Sequence, residues 1–194
     1  MDNLAYADEY WPEIADELID GKIVMMSPRP RTKHIEICGE IFAEFRNYLK
    51  GKKCRPFMEI DTYLDEKNRY IPDVMIVCNP DIIKDDGIHG APDLVVEVLS
   101  PSTAKYDKGI KKDTYERAGV KEYWLVDTLA KSIEVYHNID GRFKLDNIYC
   151  YYTDKQKAAI EVLPDDSKYK VEICDIIKVS VCDDLIIKLQ DIFA

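Results

Sequence analysis

Apolar and polar residues alternate along the chain in the two rhythms that distinguish strands from helices. Near the start, weak alternation on either side of Asp20-Gly21 predicts a hairpin closed by a type I′ turn, with strands over 16–19 and 22–27. A second alternating stretch, over 57–64, leads through the polar turn 65–68 into the next strand. The first third of the chain is therefore expected to contain two hairpins.

Two stretches show the repeat of three to four residues that is typical of amphipathic helices. The first helix is predicted from Thr32, its N-cap, to Lys50. The second is predicted from Thr103 to Ala118, with Gly119 as its C-terminal cap. The apolar stripe of the first helix consists of Ile35, Cys38, Ile41, Phe42, Phe45 and Leu49. Each helix is expected to pack one face on a sheet.

Apolar runs predict three strands that are buried inside a sheet. They lie over 71–78, 92–100 and 121–127. A hairpin follows, with strands over 132–137 and 142–149 joined at Asp140-Gly141. Residues 153–178 are polar and their pattern is ambiguous, and a short strand region is expected after Val179.

The order of these elements predicts the fold class. A hairpin, a long helix, a hairpin, a strand, a helix, a strand and a further hairpin fit an α/β domain with a mixed sheet flanked by helices. At 194 residues the chain is long enough for one sizeable core, so a single domain over 1–194 is expected. With 46% hydrophobic and 33% charged residues, the chain has the composition of an ordinary globular protein.

Composition also bears on the compartment. Residues 1–11 contain three acids and no basic segment followed by an apolar one, so no secretion signal is indicated. No stretch approaches 18 apolar residues, so no membrane partner is expected and the cytoplasm is the expected location. The six cysteines lack a C-x-x-C pair and metal-ligand spacing, which favours reduced structural thiols. His34, His89 and His137 are too scattered to indicate a zinc site.

One carboxylate interrupts the otherwise apolar strand over 92–100. Glu97 lies among aliphatic residues, and an ionised group that is buried without a partner is strongly destabilising. If Glu97 is buried away from the sheet edge, it therefore requires a neighbouring cation, a metal or a raised pKa. The simpler alternatives to a metal are an edge strand facing water and a buried ion pair. Asp73 follows Pro72 at the start of the preceding buried strand. Two acids from neighbouring strands can converge on Mg²⁺, which prefers oxygen ligands.

Pro72-Asp73 followed by Glu97 resembles the PD-(D/E)XK nuclease superfamily, in which an aspartate and a glutamate bind Mg²⁺ and a lysine assists the attacking water. The lysine expected two residues after the glutamate is Leu99 here. A wider set of residues comprises Gly90 to Ser102, Asp107, Lys111, Tyr115, Gly119-Val120 and Glu122 to Asp127. This set resembles the Uma-type family of restriction-endonuclease-like proteins, a domain of unknown function in which the lysine has moved to the following helix. The resemblance covers nearly the whole chain.

The resemblance implies a restriction-endonuclease-like fold and a Mg²⁺-dependent DNA endonuclease that hydrolyses phosphodiester bonds, with Mn²⁺ as a substitute metal. Asp73 and Glu97 would bind the metal, and Lys111 would position or activate the attacking water. Position supports Lys111, because its helix directly follows the Glu97 strand and its stripe includes Asp107 and Tyr115. The alternative for Lys111 is an i,i+4 salt bridge with Asp107 on a solvated helix.

Other polar residues could support the metal ligands or contact the substrate. Glu59 or Asp61 would lie beside Asp73 if the hairpin centred on 65–68 forms, although a solvated face is the simpler interpretation. Asp107 would hold the ammonium of Lys111, and Tyr115 could hydrogen-bond the same phosphate or water. Local basic clusters would have to bind DNA, because the net charge of −10 opposes it. The candidate DNA contacts are Arg29, Arg31, Lys33, His34, Lys105 and Lys108.

The sequence favours two functions, and it contains no feature for or against a third, a small-molecule phosphodiesterase. In the first, the protein is an endonuclease, and a homodimer would allow both DNA strands to be cut, since one metal site cuts one strand at a time. In the second, the protein is a catalytically inactive DNA- or protein-binding module on the same fold. Leu99 and the acidic balance of the chain are consistent with the second function.

Overall fold

The computed structural model of the protein describes residues 16–25 and 31–194. Arg29, one of the predicted DNA contacts, and the last two residues of the predicted strand over 22–27 lie outside the described residues. None of the helices in the described ranges is long and apolar enough to cross a membrane.

The elements follow the predicted mixture of strands and helices. The strands are β1 Asp16–Ile19, β2 Lys22–Met25, β3 Arg55–Phe57, β4 Thr62–Asp65, β5 Asn68–Tyr70, β6 Val74–Val77, β7 Ile83–Lys84, β8 Gly87–His89, β9 Leu94–Val98, β10 Glu122–Asp127, β11 Ser132–Ile139, β12 Arg142–Cys150, β13 Ile176–Lys178 and β14 Ile186–Lys188. The helices are α1 Thr32–Leu49, α2 Ala104–Tyr106, α3 Lys112–Ala118, α4 Asp154–Glu161 and α5 Leu189–Phe193. A π-helical segment, Asp107–Lys111, joins α2 to α3, and a 3-10 turn occupies Pro80–Ile82.

The central sheet contains six strands in the order β12-β11-β10-β9-β6-β3. Strands β9 and β10 are parallel, and the other neighbours are antiparallel. In the middle of the sheet, Val74 pairs with Val96 and Ile76 pairs with Leu94. Every residue of β6 and β9 is buried, as their apolar sequences predict.

Different layers cover the two faces of the central sheet. On one face, Val74, Val96 and Trp124 pack in one cluster with apolar residues of α1, α5 and the β13–β14 hairpin. On the other face, Met75 and Val95 pack with a second sheet and with α3. Because successive strand residues point to opposite faces, Glu97 shares the face of Val95 and points towards the second sheet and α3.

Helix α1 packs one face on the central sheet. Its buried residues are Ile37, Cys38, Ile41, Phe45 and Leu49. The edge of the Phe45 ring meets Trp124 with 5.8 Å between ring centroids, and burying a side chain of this size stabilises the fold by roughly 1.5–3 kcal/mol. The predicted stripe is wrong at Ile35, which is 45% exposed, because the helix turns its Ile37 and Cys38 side towards the sheet instead.

The second sheet contains six strands in the order β2-β1-β5-β4-β8-β7. The hairpin predicted at Asp20-Gly21 is confirmed, and both turn residues have the positive φ that a type I′ turn requires. The single strand predicted over 57–64 is wrong, because β3 joins the central sheet and β4 joins the second sheet. Glu59, with a φ of 48°, lies where the chain crosses between the sheets. The alternation of apolar and polar residues indicates which side chains are buried, but it does not indicate which of two sheets a strand joins.

The ambiguous stretch 153–178 contains α4 and β13. The Thr153 side chain accepts a hydrogen bond from the Gln156 N–H, and the Gln156 side chain accepts one from the Thr153 N–H. No residue of α4 is buried, so this helix has no apolar stripe to indicate it in the sequence. Beyond it, Ile177 and Ile187 of the β13–β14 hairpin pack in the same cluster as α1.

The expectation of six reduced thiols is wrong for one pair, because Cys54 and Cys78 form a disulfide. Arg55 pairs with Val77 in the β3–β6 ladder, so the next residues, Cys54 and Cys78, lie directly opposite each other. The two cysteines are 24 residues apart, and only this strand pairing brings them together. The free cysteines are Cys38, Cys150, Cys174 and Cys182.

We expect four thiols, and not six, to titrate in the denatured but unreduced protein. Replacing both Cys54 and Cys78 by serine should lower the free energy of unfolding by about 2–4 kcal/mol, because the crosslink restricts the unfolded chain. Denaturant unfolding measures the change. The matched double variant Cys150→Ser/Cys174→Ser removes two half-buried free thiols and should change the free energy much less. Six titratable thiols would contradict the crosslink.

Candidate active site

Asp73 and Glu97 lie opposite each other on neighbouring strands. Val74 pairs with Val96, and one further step along the same antiparallel register places Asp73 beside Glu97. Residues opposed in this way share one face of a sheet, with Cβ atoms about 4.5–5.5 Å apart. The backbone N–H of Val98 donates a hydrogen bond of 2.6 Å to Oδ2 of Asp73. The start of β6 and the end of β9 therefore hold the two carboxylates together.

Glu97 is buried in the middle of the central sheet. It is 3% exposed and lies between β6 and β10, so the alternative of an edge strand facing water is wrong. Its Oε1 lies 2.8 Å from Nζ of Lys111 and accepts a hydrogen bond of 2.9 Å from the Tyr115 hydroxyl. Glu97 therefore takes part in a buried ion pair, and its partner is Lys111.

Lys111 is enclosed by carboxylates. Its Nζ lies 3.0 Å from Oε1 of Glu17 and 3.4 Å from Oδ1 of Asp107, in addition to its contact with Glu97. The side chain is 5% exposed. The alternative of an isolated i,i+4 salt bridge on a solvated helix is therefore wrong, although the Asp107 contact that it assumed is present.

The segment that carries Lys111 is not a straight α-helix. Residues Asp107–Lys111 form a π-helical segment, in which Gly109 has a φ of −118° and a ψ of −111°. The Tyr123 hydroxyl donates a hydrogen bond of 2.9 Å to the Asp107 carbonyl, which anchors the segment on β10. Segments of this kind are frequent at functional sites. Here the segment turns Asp107 and Lys111 inward together with Tyr115.

Glu17 is a site residue that the sequence did not reveal. It lies on β1, is 8% exposed, and its Oε1 accepts hydrogen bonds from Nζ of Lys111 and from the backbone N–H of Ile71. Glu17 shares its strand face with the buried Ile19. Glu97 was found because it interrupts a run of apolar residues in a strand. Glu17 also lies at an inward position, but the four residues of β1 are too few to show such an interruption.

Burial governs the protonation of this cluster. Burial raises the pKa of Glu97 well above its usual range, Lys111 lowers it, and Asp107, Asp73 and Glu17 raise it further. Burial also raises the pKa of Asp107. The pKa of Lys111 is lowered by burial but raised more strongly by Glu97, Glu17 and Asp107, so it ends well above its ordinary value. Lys111 is therefore cationic, and one ammonium faces an excess of acids.

His34 and Cys38 reach the Asp73 carboxylate from α1. Nε2 of His34 lies 3.1 Å from Oδ1 of Asp73, so this predicted DNA contact touches a candidate metal ligand. Ligand atoms of His34, Cys38 and Asp73 lie within 4.8 Å of one another. Burial lowers the pKa of His34, but the hydrogen bond and the charge of Asp73 raise it to a value above the ordinary one.

The two acids predicted to support the ligands are in different positions. Glu59 is exposed. Its N–H donates a hydrogen bond of 3.1 Å to the carbonyl of Pro72, the residue that precedes Asp73. Asp61 instead lies just before β4 of the second sheet, with Oδ1 3.5 Å from Nε of Arg69. Because β6 pairs with β3 rather than with β4, Asp61 is not drawn towards the carboxylate pair.

The predicted DNA contacts fall into two groups. Arg31, at the N-cap of α1, and Lys105, on α2, are exposed. Lys33 pairs with Glu36 at 3.0 Å, and Lys108 pairs with Glu134 at 2.7 Å. Arg31 and Lys105 are thus the candidates whose charge is not matched by an ion pair within the described part of the chain.

Comparison with known proteins identifies relatives of this chain. Residues 7–170 match the model of the Uma2 family, which is described as “Putative restriction endonuclease”. The chain is 34% identical over 136 residues to “Uncharacterized protein slr1290” of Synechocystis sp. (strain ATCC 27184 / PCC 6803 / Kazusa), a match that covers 68% of this chain and 70% of that protein.

A solved structure has a similar fold. It is the crystal structure of “a putative nuclease belonging to DUF820” from Anabaena variabilis ATCC 29413, with a TM-score of 0.68 and 22% sequence identity. The match covers 93% of this chain and 90% of that chain. This similarity confirms the α/β fold class, with mixed sheets flanked by helices.

Replacing Lys111 by methionine should lower the free energy of unfolding by about 3–5 kcal/mol at neutral pH, because it leaves buried carboxylates without their cation. The loss should shrink as the pH falls. Carboxyl groups whose folded-state pKa is raised take up protons on folding, so acid restores neutrality to the cluster as the pH approaches the ordinary carboxyl pKa of about 4. Denaturant unfolding at several pH values measures both effects.

The control for this variant is Lys108→Met. Lys108 makes one ion pair with Glu134, but its side chain is 48% exposed, so its loss should cost at most about 1 kcal/mol and depend little on pH. Equal losses in the two variants would contradict the buried ion cluster.

Proposed function

The chain belongs to the Uma2 family, described as “Putative restriction endonuclease”, and we propose that it is a Mg²⁺-dependent DNA endonuclease in which Asp73 and Glu97 hold the metal. In this proposal Lys111 provides the positive charge that acts on the scissile phosphate. The observation that carries the proposal is the opposition of Asp73 and Glu97 across β6 and β9, with Nζ of Lys111 2.8 Å from Glu97. Acids from adjacent strands beside one lysine suit phosphodiester hydrolysis.

The residues fit a hard divalent cation. Oε2 of Glu97 accepts no hydrogen bond from the described residues, while Oε1 is held by Lys111 and Tyr115. Within the same part of the chain, the buried Oδ1 of Asp107 makes no hydrogen bond, and its cationic neighbour Nζ of Lys111 lies 3.4 Å away. Four carboxylates act on the electrostatics of this cluster against one ammonium, and a dication would offset that excess. Oxygen donors are the ligands that Mg²⁺ prefers.

Each protein group has a defined task in this proposal. When bound, Mg²⁺ supplies Lewis-acid polarisation of the phosphate and lowers the pKa of a water molecule. The Val98 N–H and His34 orient Asp73, and the Tyr115 hydroxyl orients Glu97. These bonds limit the motion of the two carboxylates, which is the preorganisation that electrostatic catalysis requires.

Lys111 replaces the lysine that the superfamily carries two residues after the glutamate. Leu99 occupies that position here, and Lys111 reaches Glu97 from the π-helical segment instead. Because surrounding acids raise its pKa, Lys111 keeps its charge at neutral pH and can donate hydrogen bonds to a phosphate oxygen. A fixed charge of this kind stabilises the negative charge that develops during hydrolysis.

DNA is the proposed substrate. Arg31 and Lys105 are exposed at the starts of α1 and of the segment that leads to Lys111, and basic side chains bind phosphates by releasing counterions. Arg31 lies three residues before His34, which contacts Asp73. We propose that two copies act together on duplex DNA, because one site cuts one strand at a time.

Plasmid DNA should be nicked in the presence of Mg²⁺ or Mn²⁺ and not in the presence of a chelator. Asp73→Asn and Glu97→Gln should each lower the nicking rate by about 10²-fold or more, because each removes a charge that holds the metal. Rates are measured by conversion of supercoiled to open-circular plasmid. Glu40→Gln, which changes an exposed acid on α1, is the matched control and should leave the rate unchanged.

The inactive binding module gives a different result in the same experiment. It predicts no nicking with either metal, no heat of Mg²⁺ binding in calorimetry, and unchanged DNA or protein affinity in Asp73→Asn. That combination would replace the endonuclease by the module.

Lys111→Arg separates the role of this residue in catalysis from its role in stability. The variant keeps the positive charge, so it should unfold at a higher denaturant concentration than Lys111→Met. It should still lower the nicking rate by about 10²-fold, because a planar guanidinium cannot reproduce the position of the ammonium in this enclosed site. Metal affinity, measured by calorimetry, should change little. Unchanged nicking would remove Lys111 from the reaction and make Lys108 the next candidate.

A further inference from the structure

His34 and Cys38 occupy positions i and i+4 of α1, the spacing that places two side chains on one helix face. Both approach Asp73 from α1, whereas Glu97 belongs to β9 and Lys111 to the π-helical segment. One nitrogen, one sulfur and one oxygen ligand atom lie within 4.8 Å of one another. The proposed magnesium chemistry uses neither His34 nor Cys38 as a ligand.

We propose that His34, Cys38 and Asp73 form a binding site for a borderline-soft divalent cation such as Zn²⁺ or Co²⁺. Imidazole and thiolate ligands favour these transition metals, whereas Mg²⁺ requires oxygen ligands and is bound poorly by sulfur. Histidine, cysteine and aspartate each bind zinc in proteins, and zinc sites with three protein ligands keep the fourth position open. This proposal concerns metal binding and does not depend on DNA cleavage.

The observed triangle is close to the one that such a metal needs. Ligand atoms of a tetrahedral zinc ion, with bonds of about 2.0–2.3 Å, lie roughly 3.3–3.8 Å apart. Nε2 of His34 and Oδ1 of Asp73 are 3.1 Å apart, and the longest side of the triangle is at most 4.8 Å.

The surroundings favour a cation over the ordinary role of Cys38 as a small core residue. The Cys38 side chain is fully buried, and the negative charges of Asp73, Glu59 and Glu97 act on its position. These acids attract a divalent ion to the position where the thiol lies. On binding, the sulfur–hydrogen bond breaks, the proton leaves to solvent, and the sulfur electron pair forms the bond to the metal.

Titration of the apo protein with Co²⁺, monitored by absorption, tests this site. A thiolate ligand gives a charge-transfer band in the near ultraviolet, and tetrahedral coordination gives intense visible bands. Both should appear with one equivalent of Co²⁺, disappear on addition of Zn²⁺, and persist in a large excess of Mg²⁺. Zn²⁺ affinity, measured by competition with a chelator, should fall at least about 10²-fold in Cys38→Ser and in His34→Gln.

Matched variants keep the result interpretable. Cys182→Ser replaces another buried free thiol and should retain both bands and the Zn²⁺ affinity. Melting temperatures without metal show whether Cys38→Ser is folded, and His34→Gln provides a second test at a residue that is only partly buried. A spectrum without the thiolate band, or Zn²⁺ affinity unchanged in folded Cys38→Ser and in His34→Gln, would overturn the site. Neither readout requires nuclease activity.

Discussion

The burial of the Lys111 charge is the constraint on which the rest of the site depends. The ammonium contacts Glu17 of β1, Glu97 of β9 and Asp107 of the π-helical segment. Removing a charge from water is costly unless opposite charges surround it, so these three elements can pack together only in the arrangement that brings their acids to one point. Glu17 strengthens the arrangement by also accepting the N–H of Ile71, just before β6.

The same burial leaves the site with more carboxylates than ammonium groups. Lys111 cannot balance all the acids around it, and the pKa values of Glu97 and Asp107 are raised as a result of burial and of this excess. Asp73 lies between two groups of side chains that carry different potential metal-binding atoms. Glu97 lies opposite it in the sheet and offers oxygen, whereas His34 and Cys38 of α1 offer nitrogen and sulfur. Both proposed metal sites therefore share this one carboxylate and differ in the side chains that surround it.

The positive charge beside Glu97 comes from a different element of the chain and not from the Glu97 strand itself. Position 99 follows Glu97 by two residues, so its side chain points to the same face, and there the chain has leucine. Lys111 lies on a different element, yet its Nζ is 2.8 Å from the Glu97 carboxylate. The π-helical segment makes this possible because it turns both Asp107 and Lys111 towards the sheet. Site chemistry is thus set by where an atom lies in space, and not by its distance along the sequence.

The sequence by itself determined the features that are recorded within single elements. Glu97 interrupts an apolar strand, and Asp107, Lys111 and Tyr115 share one helical stripe, so the need of Glu97 for a partner and the common direction of the other three could be predicted. The fold class followed from the order of such elements. Only the tertiary structure decided which elements meet. Glu17 contacts Lys111 although 94 residues separate them in the sequence. Strand β3 pairs with β6 and not with β4, and this pairing brings Cys54 to Cys78. Local patterns report which side of an element is buried, whereas partners and register are set by the packing of all elements together.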